Sequence, residues 1–359
     1  MRSRSTFRLL VAFGIAVLLA AAFGISCTSE THNAPAPGSP VPATDRAASS
    51  PQLPTKPTVK TSPGEPARSK SVAATGATVK VEKLDRYRIP AEYLVIPSKH
   101  FSDAVATVAL PRNYEKEREK TYPLVVAFSG YAECLKQPWQ GSLAWIGDYK
   151  ADEAVKALEA GRLNKADFRD LASPRELSLF NRMLQEQPYQ GIILVCPYSP
   201  PLTIPHGLEV KGYEEFIVKE LVPELKRRYR VTPGRVGVDG VSMGGARAMY
   251  YGFKYPEIFS TIGSVQGAFG PYIGVYGSLV KKNREMLQDR AIQLVTSDRD
   301  TMAHSVERMH RMLEEHQIPH QYLRLTGPHD YVFNQGPGSI ALLVFHNEGR
   351  RMRLPEPAR

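Results

Sequence analysis

The sequence contains few cysteines. Three occur in 359 residues, at Cys27, Cys134 and Cys196, so the folded part can hold at most one disulfide. In an oxidising compartment Cys134 and Cys196 could pair, or they could be two separate buried thiols, because a sequence gives no distance between them.

Nucleic-acid-binding patterns are also lacking. The formal net charge is +10, but no stretch interleaves Lys and Arg with aromatic residues as a nucleic-acid face would. Part of the excess lies in the first 80 residues and near the C-terminus. We therefore expect the basic balance to favour solubility or attraction to anionic surfaces, and no nucleic-acid partner.

Metal-ligand spacing is absent from the histidine-rich stretch. His304, His310 and His316 lie six residues apart on one predicted helix, and this spacing does not bring them to a common face. His320 is separated from that helix by Pro319. We expect neither a metal nor a cofactor. The chain also has no internal repeats.

The N-terminus has the order of a secretory signal. Three arginines precede an uninterrupted apolar run over residues 9–25, and small residues lie around its end. Ile25-Ser26-Cys27 resembles the end of a bacterial lipoprotein signal, in which the cysteine becomes the lipidated first residue. Simple secretion and an uncleaved anchor are the alternatives. Each predicts an exported protein, either secreted or held in the cell envelope (periplasmic or surface) through an N-terminal lipid anchor in the membrane.

Composition divides the chain. We interpret residues 1–26 as a signal peptide, 27–80 as a tether, 81–350 as the folded domain and 351–359 as a C-terminal tail. The tether is rich in Pro, Ala, Ser and Thr, so it cannot bury enough apolar surface to offset its ordering entropy and is predicted to be disordered. The whole chain is 42% hydrophobic and 23% charged, which is enough for a sizeable core in the domain.

Strands and helices alternate along the domain. The continuous apolar runs Tyr122–Phe128 and Gly191–Cys196 are typical of central strands that are covered on both faces. Helical spacing over Gly212–Tyr229 and Met302–His316 alternates with further strand-like runs. The pattern predicts an α/β fold with a mostly parallel sheet and helices on both faces. Sites in such sheets form at the carboxyl ends of the strands.

One glycine-rich turn carries the signature of a catalytic serine. Gly240-Val241-Ser242-Met243-Gly244 follows a strand-like run and precedes a helix-forming one, which is the context that a nucleophile elbow requires. Gly240 and Gly244 leave room for the sharp bend, and Gly245 permits close contact between helix and strand. A turn that merely packs a helix on a strand is the structural alternative.

A serine nucleophile needs a base and an orienting acid, which follow it in the order acid, then histidine. His329 is the histidine that closely follows the last predicted strand. Asp298 and Asp300 both stand at the end of the strand Ala291–Thr296, and we favour Asp300. Oxyanion donors are expected at the backbone N–H groups of Met243 and, by topology, Tyr131.

These residues together resemble the esterase family of α/β-hydrolases that includes esterase D (S-formylglutathione hydrolase), feruloyl esterases, enterochelin esterases and the mycolyltransferases. The resemblance runs from about Ile89 to Asn347 and includes the strand before Tyr131, the elbow and the His329 loop. It implies the α/β-hydrolase fold for residues 81–350, with Ser242, Asp300 and His329 as triad and Tyr131 and Met243 as oxyanion donors.

The predicted function is therefore hydrolysis of carboxylic esters through an acyl-serine intermediate. The substrate would be a small-molecule or polymer-linked ester. One alternative is a mycolyltransferase-type acyltransferase of the cell envelope, which keeps the chemistry and changes the acceptor. Another is a non-catalytic surface binding protein on the same scaffold, against which the intact Ser, Asp and His argue.

Overall fold

The computed structural model describes residues 78–202, 208 and 210–349. The chain divides into two units, residues 1–70 and 71–359, and all described residues lie in the second. The predicted signal peptide, Cys27, nearly all of the tether and the tail lie outside the described residues. No described helix is long and apolar enough to cross a membrane.

A nine-stranded sheet forms the centre of the second unit, in the order β1-β2-β3-β5-β4-β6-β7-β8-β9. The first three strands and β5 pair antiparallel, whereas β5, β4, β6, β7, β8 and β9 are parallel. The strands are β1 Lys80–Lys83, β2 Ala91–Val95, β3 Val105–Ala109, β4 Tyr122–Phe128, β5 Ile193–Pro197, β6 Val231–Gly240, β7 Thr261–Val265, β8 Ala291–Arg299 and β9 Gln321–Pro328.

Helices cover both faces of the sheet. Alternate side chains of β4 enter two separate apolar cores: Leu124 and Val126 face one, and Val125 and Ala127 face the other. Because side chains alternate along a strand, an apolar run such as β4 can fill both cores at once. The α-helices of four or more residues are α1 Tyr131–Cys134, α2 Pro138–Gly141, α3 Ala151–Glu159, α4 Pro174–Glu186, α5 Val222–Arg228, α6 Met243–Lys254, α7 Ile273–Lys282, α8 Arg284–Gln288, α9 Ala303–Glu315 and α10 Ser339–Glu348.

The mostly parallel sheet with helices on both faces is confirmed. The first core contains residues of α5, α6, α7 and α9, and the second contains residues of α3, α4 and α10. The helix predicted over Gly212–Tyr229 is interrupted by a π-helical turn, Phe216–Leu221, before α5. Helices α1, α2, α7 and α8 and strand β1 were not predicted.

The parallel strands place the predicted site segments at one edge. Strand β4 ends before Tyr131, β6 before Ser242, β8 before Asp300 and β9 before His329. Since the carboxyl ends of parallel strands share an edge, all four segments lie on the same side of the sheet.

Candidate active site

Ser242 occupies a sharp turn between β6 and α6. Its backbone has φ 56° and ψ −116°, a left-handed conformation that favours glycine. The Ser242 N–H donates to the Val265 carbonyl at 2.9 Å, which holds the turn against the end of β7. The residue is 8% exposed, so a small part of it reaches solvent at the edge of the sheet.

The neighbouring glycines make this turn sterically possible. A β-carbon at Gly240 would lie 2.4 Å from the carbonyl of Gly244, and one at Gly244 would lie 2.4 Å from the Phe128 carbonyl oxygen. A β-carbon at Gly245 would lie 2.3 Å from Ser264 Oγ. Each position therefore lacks space for any larger residue, as expected for an elbow packed between β4 and β7.

The structure brings His329 and Asp300 together. His329 Nδ1 lies 2.6 Å from Asp300 Oδ1, so the ring N–H donates to the carboxylate. Asp300 also accepts hydrogen bonds from the Thr296 hydroxyl and the Met302 N–H, each at 2.7 Å, and its side chain is fully buried. These contacts fix the carboxylate, and the carboxylate fixes the orientation and tautomer of the imidazole.

Asp298, the alternative acid, is placed differently. Its side chain is 49% exposed, and Oδ1 accepts a hydrogen bond from the Gly327 N–H at 2.8 Å. Its carboxylate therefore supports the backbone of the loop that carries His329, whereas Asp300 contacts the ring itself.

The serine is not hydrogen-bonded to the imidazole in this conformation. Within the described ranges, Ser242 Oγ and His329 share no hydrogen bond, and the His329 side chain is 18% exposed. Hydrogen bonds between catalytic groups are often long without substrate and tighten in the complex. His329 and Asp300 are thus hydrogen-bonded to each other, whereas His329 and Ser242 are not.

The two expected oxyanion donors stand at helix starts. Met243 is the first residue of α6, and Tyr131 is the first residue of α1, after the extended residue Gly130. The first backbone N–H groups of a helix have no partner within the helix and carry partial positive charge. The Val241 N–H donates to the Phe128 carbonyl at 3.2 Å, which joins the elbow to the end of β4.

A buried carboxylate lies behind the Tyr131 turn. Glu133 is 2% exposed, and its two oxygens accept hydrogen bonds from the hydroxyls of Tyr149 and Tyr331. The Gly130 N–H donates to the Tyr149 hydroxyl at 3.0 Å. Burial, more than the contact with Glu133, raises the pKa of both phenols, so they remain hydrogen-bond donors.

A second histidine–aspartate pair lies beneath the elbow. His346 Nε2 donates to Asp239 Oδ2 at 2.9 Å, and His346 Nδ1 accepts from the Thr261 hydroxyl at 2.7 Å. The other oxygen of Asp239 accepts from the Gly240 N–H at 2.6 Å. Burial, opposed by His346, raises the pKa of Asp239. All three side chains are buried between the sheet and α10, so this pair supports the elbow and does not face substrate.

The cysteines of the domain are two free thiols. Cys134 Sγ donates to the Gly130 carbonyl at 3.1 Å, and Cys196 lies in β5. Burial raises the pKa of each thiol to about 12, so both are protonated and unreactive. No group of three or more His, Cys, Asp or Glu side chains among the described residues is arranged to hold a metal.

Comparisons with known proteins agree with this geometry. Residues 201–320, which contain the elbow and Asp300, match the family described as "Putative esterase". The match covers 120 of the 359 residues and indicates that the protein is a carboxylic ester hydrolase. No curated protein matches it.

One solved structure shares the fold of this chain, and two others are similar to it at lower TM-scores. A ferulic acid esterase superposes with a TM-score of 0.52 at 16% identity, over 76% of this chain and 98% of that one. An S-formylglutathione hydrolase from Staphylococcus aureus gives 0.46 at 11% identity, over 77% and 99%. A ferulic acid esterase from Anaeromyces mucronatus gives 0.45 at 16%, over 77% and 95%. The first of these similarities establishes the α/β-hydrolase fold and nothing narrower.

Several supporting residues of the esterase were not predicted. Glu133, Tyr149 and Tyr331 are far apart in sequence, and no local spacing relates them. Gln266, buried at the end of β7, donates to Ser297 Oγ at 2.7 Å and to the Pro328 carbonyl at 3.0 Å, and so supports the chain next to His329. The sequence offered one signal for Gln266, which is that a polar residue directly follows an apolar strand.

Proposed function

We propose that the protein hydrolyses carboxylic esters through an acyl-Ser242 intermediate. The observation that carries the proposal is the hydrogen bond between His329 and the buried Asp300, formed at the same sheet edge as the strained Ser242 turn. The match of residues 201–320 to the esterase family model supports the same reaction. A serine hydroxyl is a weak nucleophile at neutral pH, and an oriented imidazole is the group that activates it.

In the proposed cycle, His329 Nε2 accepts the Ser242 proton as Oγ bonds to the ester carbonyl carbon. Asp300 stabilises the imidazolium, and the N–H groups of Met243 and Tyr131 bind the oxyanion. The tetrahedral intermediate expels the alcohol, which takes the proton from His329. Water, deprotonated by His329, then attacks the acyl carbon. The acyl–Oγ bond breaks as Ser242 Oγ takes the proton back from His329, which releases the acid and restores both residues.

Labelling and substitution test the nucleophile. A fluorophosphonate probe should modify Ser242, as read by peptide mass spectrometry, and Ser242→Ala should lose both labelling and turnover of p-nitrophenyl acetate. Ser278→Ala is the matched control because Ser278 is exposed on α7 and bonds only to its own helix. Turnover by Ser242→Ala within about tenfold of the native protein would reject the mechanism.

Paired aspartate variants test the acid. Asp300→Asn keeps the shape of the side chain but favours the wrong imidazole tautomer, so kcat should fall by about 10³–10⁴-fold. Asp298→Asn removes a charge two residues away and should change kcat by less than about tenfold. The reverse ranking would assign the role to Asp298.

We also propose export, with Cys27 as the lipid-bearing residue. The support is the order of arginines, apolar run and cysteine at the N-terminus. In a bacterial host, Cys27→Ser should abolish incorporation of labelled palmitate and shift the protein from the membrane to the soluble fraction. Native protein that carries no label and stays soluble would contradict lipidation.

A further inference from the structure

A cavity of about 520 Å³ opens beside the turn that carries Tyr131. Its charged lining consists of three cationic side chains and one carboxylate, and Tyr87 and Gln140 add polar groups: the charged residues are Arg86, Lys136, Lys150 and Asp148. Its volume falls within the range of about 300–1,000 Å³ that is usual for small-molecule sites.

The positive charges are incompletely neutralised. Lys136 Nζ lies 2.7 Å from Asp148 Oδ2 and 3.8 Å from Glu133 Oε1, so its charge is matched. Arg86 and Lys150 have no carboxylate within ion-pair distance among the described residues, and the Arg86 guanidinium lies 5.2 Å from the Tyr87 ring centroid. Lys150 interacts electrostatically with Glu153, but that carboxylate already lies 2.7 Å from Arg169 and 3.8 Å from Arg88. Cations therefore outnumber carboxylates around this concave surface, which favours an anion in it.

The cavity wall is attached to the loop that carries His329. Lys136 and Tyr331 both contact Oε1 of Glu133, and Tyr331 is two residues after His329. The Gln335 side-chain amide donates to the Asp148 carbonyl at 2.9 Å. Asp148 ends a π-helical turn, Ala144–Asp148, a local structure that is frequent at functional sites. The cationic wall of the cavity and the loop that carries His329 are thus both held by contacts with Glu133.

We propose that this cavity is an anion-binding subsite of the esterase, and that the preferred substrates are esters bearing a negatively charged group such as a carboxylate. The proposal rests on the ester-hydrolase function proposed above. Arg86 and Lys150 bind the anion, while the Tyr87 hydroxyl and the Gln140 amide are available to donate hydrogen bonds to it. The ester carbonyl would then extend from the cavity toward the sheet edge that carries Ser242.

Matched ester pairs test the preference. Mono-p-nitrophenyl glutarate and p-nitrophenyl valerate differ by a carboxylate in place of a methyl group on the acyl side. The p-acetoxybenzoate anion and its methyl ester differ in the same way on the alcohol side. We expect kcat/KM to be higher for the anionic member of at least one pair, and the ratio to fall as salt is raised.

Charge-matched variants locate the effect. The double variant Arg86→Gln/Lys150→Gln should lower the anionic-to-neutral ratio of kcat/KM about tenfold. Lys281→Gln/Lys282→Gln removes the same charge from exposed positions on α7 and should leave the ratio unchanged. Equal ratios in the native protein and the Arg86/Lys150 variant, or equal losses in both double variants, would overturn the proposal.

Binding separates this proposal from the hydrolysis itself. Glutarate titrated calorimetrically into Ser242→Ala should bind, and the added Arg86→Gln/Lys150→Gln change should abolish the signal. Inorganic phosphate in place of glutarate tests whether the subsite prefers a carboxylate. If no ester is turned over but glutarate binds in this way, the proposed function fails and the subsite stands. If esters are turned over and no charge preference exists, the subsite fails alone.

Discussion

The Tyr331 hydroxyl donates a hydrogen bond to Oε1 of Glu133, and this contact joins the loop that carries His329 to the turn that follows β4. The other Glu133 oxygen accepts from Tyr149, whose hydroxyl receives the Gly130 N–H at 3.0 Å. One buried carboxylate therefore sets the spacing between the expected base and the expected oxyanion donor at Tyr131.

Tyr331→Phe should impair catalysis more than substrate binding. The change keeps the aromatic ring, whose centroid lies 6.0 Å from that of Tyr149, but removes a donor from a buried carboxylate. We expect kcat to fall about tenfold with little change in KM, since a misplaced imidazole weakens the transition state selectively. The free energy of unfolding should fall by about 1–3 kcal/mol. Steady-state kinetics and denaturant titration measure both.

Tyr272→Phe is the control for that experiment. Its hydroxyl makes no hydrogen bond with any described residue, so its loss should leave kcat and stability near their native values. A Tyr331→Phe protein with native kcat would show that the Glu133 contact does not position His329.

Because the backbone at Ser242 is strained, two small substitutions there should differ in their effect on the stability of the fold. Both Ser242→Gly and Ser242→Ala remove the hydroxyl and should abolish turnover. Glycine adopts φ 56° without steric cost, so Ser242→Gly should stabilise the fold by about 1–3 kcal/mol, whereas Ser242→Ala retains the β-carbon and the strain. Thermal unfolding of the three proteins measures the difference. Equal midpoints for the glycine and alanine variants would mean that the turn stores no strain.

Local patterns were sufficient to predict the sheet and to place the candidate site residues at one edge of it. Apolar runs such as β4 and β5 identify central strands, and the elbow at Ser242 depends on five consecutive residues. The order of strand ends then places Asp300 and His329 at the same edge, because parallel strands share a direction. These inferences needed only short-range sequence and one topological rule.

The residues that support the site could not be predicted from local sequence patterns. Asp239 and His346 are 107 residues apart, and His346 lies within the apolar helix α10, where its sequence context predicts only core packing. Glu133 and Tyr331 are separated by 198 residues. Contacts of this kind depend on the angles at which elements pack, which single-sequence periodicity does not encode. The helices α7 and α8 were missed for a simpler reason, since no strong period marks residues 270–290.

Acidification should destabilise the protein through His320. Burial, partly opposed by a hydrogen bond to the Ile318 carbonyl, lowers the pKa of His320 below its value in the unfolded chain. The unfolded state therefore binds the proton more readily than the folded state does. The stability that is present above the unfolded pKa of His320 is lost as the pH falls from that value through the folded pKa. His310, whose Nδ1 lies 2.7 Å from His320 Nε2, and Glu314 are the facing titratable groups.

The measurement is the midpoint of thermal unfolding from about pH 7 to about pH 5. His320→Gln should show a shallower decline than the native protein because the titrating group is gone. His304→Gln, an exposed position on α9, should keep the native slope. Parallel declines for His320→Gln and the native protein would assign the acid sensitivity to other groups.

Gly263 lies where the Asp239–His346 pair needs space. A β-carbon at Gly263 would lie 1.9 Å from Asp239 Oδ2, and one at Gly237 would lie 2.5 Å from His346 Nδ1. The carboxylate has no free direction in which to move, because its oxygens are bonded to His346 and to the Gly240 N–H. The absence of a side chain at these two strand positions is thus a requirement of the buried pair.

Gly263→Ala should therefore destabilise the protein by about 3–5 kcal/mol, since it forces apart a buried, hydrogen-bonded pair. The displaced Asp239 would also shift the Gly240 N–H and the elbow, so kcat should fall in whatever protein remains folded. Gly274→Ala is the control: no atom lies within 4 Å of its added β-carbon, and as a helical position in α7 it should be neutral or gain up to about 1 kcal/mol. Denaturant titration of both variants, with p-nitrophenyl acetate turnover below the unfolding transition, measures the two effects. Native stability in Gly263→Ala would mean that Asp239 relocates freely and that the elbow does not depend on the buried pair.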